Sequence, residues 1–313
     1  MNAEIPPYRD LPVLGNGLPH SWDVFKSAID LGTANFLTPE VVAHATRTEV
    51  RSGERINVTL PLTLPNPPFF GRAAYRHTIH EPVPNVLDDV LDNFYPQSSS
   101  QWDALRHRRD PDAGFFGGLS REDAGPGGSR LGVDAWAQQG LIGRGVLVDV
   151  ATHLERRGDY DPTTGVSIGA DVLVETLETQ GTERLPGDVL LVRTGYMDRY
   201  LAASDDGRRA IRDGGASAGL SPGAETAAYL WDSRCSAVAV DNPGVEVLPR
   251  NPDEPYLHAR LIPMLGFPMG EFFAFDQLVR TCEHDDRYSC LFVSVPLNLP
   301  GGVGSPANAI VIR

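Results

Sequence analysis

Apolar and polar positions change rhythm along the chain, and the change locates its main elements. From residue 140 onward, short apolar runs stand between Gly, Pro and Asp: GVLVDV (145–150), DVLLVRTG (188–195), SAVAVD (236–241) and CLFVSVPLNL (290–299). Runs of this length and bounding read as buried strands. Between them, SIGADVLVETLETQG (167–181) has helical spacing at Val172, Leu173 and Leu177, with Gly181 as a stop. The segments 222–233 (PGAETAAYLWDS) and 270–282 (GEFFAFDQLVRTC) read as two further helices.

The first half of the chain is less regular. Residues 1–40 are rich in Pro and Gly and read as an irregular arm with a short helix. Thr38-Pro39-Glu40 places an N-cap, a Pro at N1 and an acid in the first turn, so a helix is expected from there to about Arg51. INVTLPLTL (56–64) alternates as a half-buried strand does, and His77 and His80 lie in the strand-like RAAYRHTIH. Residues 110–135 carry many glycines and acids and few apolar anchors, and read as a long surface loop. The pattern as a whole predicts an α/β fold: a single domain over 38–313, with a mixed, barrel-like sheet flanked by helices, behind an N-terminal arm at 1–37.

Composition narrows the function classes. In 313 residues, 27 Lys+Arg against 41 Asp+Glu leave a formal charge of −14, which argues against nucleic acid or an anionic membrane as partner. Lys26 is the only lysine, so Schiff-base chemistry would rest on that residue. No apolar run is long enough to span a membrane, and the start lacks a basic segment followed by an apolar one. Three cysteines (Cys235, Cys282, Cys290) without C-x-x-C spacing fit a reducing compartment, so a cytoplasmic location is expected.

No phosphate-binding loop, dinucleotide fingerprint, nucleophile elbow or H-E-x-x-H helix is present. Gly301–Gly302–Val303–Gly304 follows a strand and leads to Pro306, which suits a plain turn. Two histidines stand near carboxylates. Asp103 and His107 are four apart in QSSSQWDALRH (97–107), close enough for one helical turn or a tight loop to join them. His258 lies in NPDEPYLHARLIPMLGFPMGE, upstream of Glu271. Neutral nitrogen and anionic oxygen donors are what a zinc or manganese site uses.

Seven segments, in order, resemble the cyclase family of metal-dependent hydrolases, which includes bacterial kynurenine formamidase and isatin hydrolase. They are LGTANFLTPE (31–40), QSSSQWDALRH (97–107), GRGVLVDV (143–150), GDVLLVRTGY (187–196), AVAVDNPGVEV (237–247), LHARLIPMLGFPMGE (257–271) and PLNLPGGVGSPANAI (296–310). The resemblance implies the family's swivelling β/β/α fold, a small-molecule substrate and a homodimer or homotetramer. It places metal ligands at Asp103, His107, His258 and Glu271, with His107 and Glu271 as catalytic candidates and His107 favoured as the base. The chain departs from the family where two signature histidines fall on Gln97 and Gln101. A carboxamide is a weaker ligand than imidazole, so one divalent metal, zinc or manganese, is expected instead of two, and a metal-free site stays open. Gln97 and Gln101 would then be free to bind a substrate carbonyl, with Trp102 beside them.

The expected reaction is hydrolysis of a C–N or C–O bond in an amide, imide or lactone of a cyclic or aryl substrate. Two alternatives share the fold: a cyclase, dehydratase or lyase of specialised metabolism, and a binding protein whose site has eroded. Arg144, Arg193 and Thr194 at strand ends could hold a substrate carboxylate or pair locally. Phe115, Phe116, Phe272 and Phe273 could line an aromatic pocket. Asp241, Asn242 and Glu246 read as turn chemistry around Pro243-Gly244.

Overall fold

The computed structural model describes residues 5–313. Nine strands form one curled sheet: β1 (Arg55–Asn57), β2 (Gln101–Asp103), β3 (Leu141–Asp149), β4 (Val189–Arg193), β5 (Ala237–Val240), β6 (Met269–Glu271), β7 (Ser289–Ser294), β8 (Gly304–Pro306) and β9 (Ala309–Ile312). Their order across the sheet is β1-β9-β7-β3-β4-β5-β6-β2-β8. The four central strands, β3 to β6, run parallel, and the strands on either side pair antiparallel. Val146, Leu147, Val148, Leu190, Leu191, Val192 and the whole of β5 are buried, as continuous apolar runs require when both faces of a sheet are covered. The fold is therefore a mixed α/β half-barrel flanked by helices.

The helices begin where capping chemistry puts them. Thr38 accepts a hydrogen bond from Val41 N at the head of Pro39–Glu49. Ala170–Thr179 stops before Gly181, which takes a left-handed φ of 60°. Ala224–Asp232 presents Ala227, Leu230 and Trp231 to the core. Residues 5–37 lie against this core. Trp231 Nε1 donates to Pro6 O at 2.9 Å, and Phe25 packs edge-on to Trp231. Gly32 passes so close to Gly266 that a Cβ there would sit 2.0 Å from its carbonyl oxygen, so no larger residue fits.

Three local readings change. The 110–135 segment is not a bare loop. It folds into a 3-10 turn at Phe116–Gly118 and a one-turn helix at Arg121–Ala124, runs into the helix Val133–Gln139, and buries Phe115, Phe116, Ala124, Leu131 and Val133. Its widely spaced apolar residues each serve a different turn, so no single period reveals them. The strand expected over 56–64 pairs only as far as Asn57, with one further bridge from Thr59 to Phe273. Pro61 has no N–H for a ladder. The helix expected from residue 270 starts at Asp276, because Met269–Glu271 form β6 and Phe272 turns with φ 57°.

A hairpin of Arg76–Val83 and Val86–Asp92 stands off the body with every residue exposed.

Candidate active site

The site lies at the carboxyl ends of β5 and β6, where open parallel sheets leave a crevice. β2 runs antiparallel to β6, with Gln101 opposite Glu271 and Asp103 opposite Met269. Side chains alternate along a strand, so Gln101 and Asp103 share the face of Glu271 while Trp102 points the other way. A tight turn after β2, closed by His107 N donating to Ala104 O at 2.8 Å, brings His107 back beside Asp103. The Asp-x-x-x-His spacing is thus bridged by a turn and not by a helix. His258 comes from the single turn Leu257–Arg260, which runs into a π-helical turn at Leu261–Leu265.

His258 is the hub. Its Nδ1 lies 2.6 Å from Glu246 Oε2, a contact in which the carboxylate accepts and Nδ1 donates. That bond turns Nε2 toward Glu271 Oε1 at 3.3 Å and Asp103 Oδ2 at 3.6 Å. His107 Nδ1 stands 3.7 Å from Asp103 Oδ1. Asp103, Glu246, Glu271 and His258 are all buried, so three carboxylates crowd around one imidazole.

The titration behaviour follows from that crowding. Burial and the Asp103 charge push the Glu271 carboxyl up to about 7. Burial acts against the His258 imidazolium, but Glu246, Asp103 and Glu271 outweigh it and raise its pKa well above the ordinary value. Burial would raise Asp103, and the two histidines with Gln97 reverse this and lower it. His107 is lowered, first by burial and then by His258, Arg72 and Arg108, against the pull of Asp103.

The family's sequence model, described as "Putative cyclase", matches residues 56–247 of the chain. The chain belongs to this cyclase family. A crystal structure described as a novel cyclase is similar over 94% of this chain and 99% of its own, with 28% identity and a TM-score of 0.83. Isatin hydrolase A from Labrenzia aggregata, bound to benzyl benzoate, aligns over 87% of this chain and 97% of its own, at 16% identity and a TM-score of 0.56. An isatin hydrolase bound to the product analogue thioisatinate gives 18% identity, coverage of 86% and 94%, and the same TM-score of 0.56. The two hydrolases share the fold at that distance. No curated protein sequence matches the chain.

Among the described residues, one group of side chains in this cyclase-family protein could hold a metal ion. Asp103, His107 and His258 offer ligand atoms that all lie within 4.8 Å of one another. The donor set suits a divalent cation: one carboxylate and two imidazoles, with the second imidazole fixed by a carboxylate behind it. The local charge also suits one, since three buried carboxylates exceed the positive charge that His258 can carry. Glu271 lies outside this group. It reaches His258 and accepts a hydrogen bond from Gln101 Nε2 at 2.5 Å.

The two glutamines face the carboxylates. Gln97 Nε2 donates to Asp103 Oδ1 and lies 3.0 Å from His107 Nδ1, so it occupies lone pairs that a cation would use. Gln101 Oε1 is buried with no partner. Neither glutamine lines the cavity above Asp103 and His258. Trp102 does not wall the cavity either. It is fully buried, donates from Nε1 to Ser294 Oγ at 2.8 Å, and packs edge-on against Phe273 and Phe292.

Arg144, Arg193 and Thr194 serve the scaffold. Arg144 pairs with Glu49 and Asp188, Arg193 with Asp149 and Asp198, and Thr194 with Asp241. Phe115, Phe116, Phe272 and Phe273 are core residues. Sequence reasoning missed Glu246, which it took for a turn residue. The signal was its place just beyond a parallel strand, where such sheets build their sites. It also missed Arg72, Arg108, Arg250 and Tyr256, which line the cavity of about 350 Å³ above Asp103 and His258.

Proposed function

We propose that this protein is a hydrolase that opens a C–N or C–O bond beside a carbonyl, in an amide, imide or lactone of a cyclic or aryl substrate, with one divalent ion. The observation that carries the reading is the Glu246–His258 bond. It holds Nδ1 as a donor and leaves Nε2 to face Asp103 and, through it, His107. Asp103, His107 and His258 would hold the ion, zinc or manganese by donor type. When bound, such an ion polarises a carbonyl and lowers the pKa of water.

The chain's own residues divide the remaining work. Glu271, outside the three-ligand group and open to the cavity, takes a proton at Oε1 and returns one to the leaving group. This moves the base from His107, favoured by the resemblance, to Glu271, because His107 is one of the three converging donors. Gln101 holds Glu271 by its other oxygen, Oε2, so Oε1, which faces His258 Nε2 at 3.3 Å, is the oxygen that makes that exchange. Gln97 holds Asp103 and sets its orientation. Phe70 and Tyr256, at the cavity wall, supply flat apolar surface for a ring.

The test is hydrolysis of a panel of aryl amides, cyclic imides and aryl lactones, followed by proton release. The protein would be assayed as isolated, after removal of metal by a chelator, and after return of zinc or manganese. Hydrolysis that falls at least tenfold on stripping and returns with the metal supports the reading. Turnover by elimination or ring closure that is indifferent to stripping overturns it, in favour of a cyclase or lyase.

A further inference from the structure

The protein is strongly acidic, yet arginines stand at its site. Three arginines from three separate segments line the cavity: Arg72 ahead of the exposed hairpin, Arg108 directly after His107, and Arg250 in the loop after β5. The Arg108 and Arg250 guanidiniums lie over one ring, that of Tyr256, at 4.9 and 4.2 Å from its centre. Arg72 lies 5.4 Å from the centre of the Phe70 ring and donates to Gln97 O at 2.5 Å. Among the described residues none of the three makes an ion pair. Arg108 Nε is buried with no acceptor at all.

Five other arginines, Arg130, Arg144, Arg193, Arg287 and Arg313, each meet a carboxylate within 3.1 Å, and Arg106, whose Nε also lacks an acceptor, donates from its other nitrogens to three backbone carbonyls. Two guanidiniums gathered on one ring repel each other, and an enclosed N–H without an acceptor costs free energy. A bound anion would remove both costs. The guanidinium fork matches a planar carboxylate, and the Tyr256 and Phe70 rings give an aryl body a surface to lie on.

We propose that Arg108 and Arg250, with Arg72 beside them, form a subsite for a carboxylate carried by an aryl substrate, held away from the bond that breaks. The proposal rests on the hydrolase reading for the location of the reacting bond. The rim also gives an anion local positive partners on a chain whose long-range field repels it.

Binding can be measured without turnover, which separates the two ideas. Isothermal titration of the protein as isolated would use benzoate, acetophenone as a neutral probe of similar shape, and phenylphosphate. Benzoate is expected to bind roughly tenfold more tightly than acetophenone. Arg108→Gln with Arg250→Gln should bring that preference below about twofold while leaving acetophenone unchanged. Arg250 is exposed, so Arg250→Gln alone should fold and reduce the preference by about threefold, and Arg250→Lys should retain most of it.

A preference that survives the double variant overturns the subsite, because the carboxylate then sits elsewhere, on a metal included. Phenylphosphate binding tenfold more tightly than benzoate overturns the choice of carboxylate. If the preference behaves as expected but no panel compound is hydrolysed, the subsite stands and the hydrolase reading falls. Hydrolysis without any preference for the anionic probe gives the reverse.

Discussion

Two buried charge clusters in this molecule are built from similar residues and balance in opposite ways. Glu49 accepts from Arg144 Nε at 3.1 Å, Arg287 Nη2 at 2.8 Å and Ser289 Oγ at 2.8 Å. Asp188 accepts from Arg144 Nη1 at 2.9 Å and stands 3.4 Å from Arg184 Nε. Two carboxylates there meet three guanidiniums, and the cluster ties the helix Pro39–Glu49 to β3 and β7. At the site, Asp103, Glu246 and Glu271 meet one imidazole hub, and the neutral amides of Gln97 and Gln101 donate to Asp103 and Glu271 in place of cations. In the first cluster every carboxylate meets a guanidinium. The second carries surplus negative charge, which a cation from solution can offset. Carboxylates met by guanidiniums mark scaffold here, and carboxylates crowded on one imidazole mark chemistry.

The sharpest way to break this contrast is to remove one carboxylate from each cluster. Glu271→Gln removes the proposed base and should lower kcat by about a thousandfold, equivalent to about 4 kcal/mol. Its melting temperature should hold or rise, since the change relieves the crowding with Asp103. A large loss of stability in that variant would show that the site carboxylates are structural.

Glu49→Ala should do the opposite. Leaving Arg144 and Arg287 without this partner should cost about 3 kcal/mol of stability by urea unfolding, with kcat per folded molecule unchanged. Its pH dependence adds a check. Burial raises Glu49, but the bonds from Arg287 and Ser289 and the charge of Arg144 outweigh it and hold the carboxyl below its ordinary 4.5. The folded state therefore binds fewer protons here than the unfolded one. The Glu49 contribution is present above 4.5 and is lost as pH falls through the lower folded value. Wild type should lose stability over that acid range more steeply than the variant. Parallel curves would contradict the assignment.

Glu246→Gln has a smaller expected effect. Its amide could still meet His258 Nδ1 through Oε1, but without charge to raise the basicity of Nε2. Metal affinity, measured by competition with a chromogenic chelator, should fall about 10- to 100-fold. An unchanged affinity would remove Glu246 from the site.

The two clusters were unequally visible in the sequence. The central strands and the helices at Pro39, Ala170 and Ala224 were legible because apolar spacing and caps act locally. Asp103, His107, His258 and Glu271 stood out only through the order of motif blocks, since the Asp103–His107 spacing alone suits many surface turns. Glu246 was hidden because GVEV after a Pro-Gly step looks like any turn, and only the π-helical turn behind His258 brings the imidazole to it. The arginine rim was invisible for the same reason: Arg72, Arg108 and Arg250 belong to loops far apart in sequence, and no local period joins them. The 110–135 segment misled because its anchors, from Phe115 to Val133, bury themselves one turn at a time.

The central claim is that the surplus charge at the site is there to hold one cation. Metal content per chain, by plasma mass spectrometry on wild type and Asp103→Ala purified without chelator or histidine tag, tests it most directly. About one zinc or manganese per chain, lost in the variant, is the expected result. Two per chain would mean that Gln97 and Gln101 do not limit the site to one ion. None in an active preparation would contradict the account.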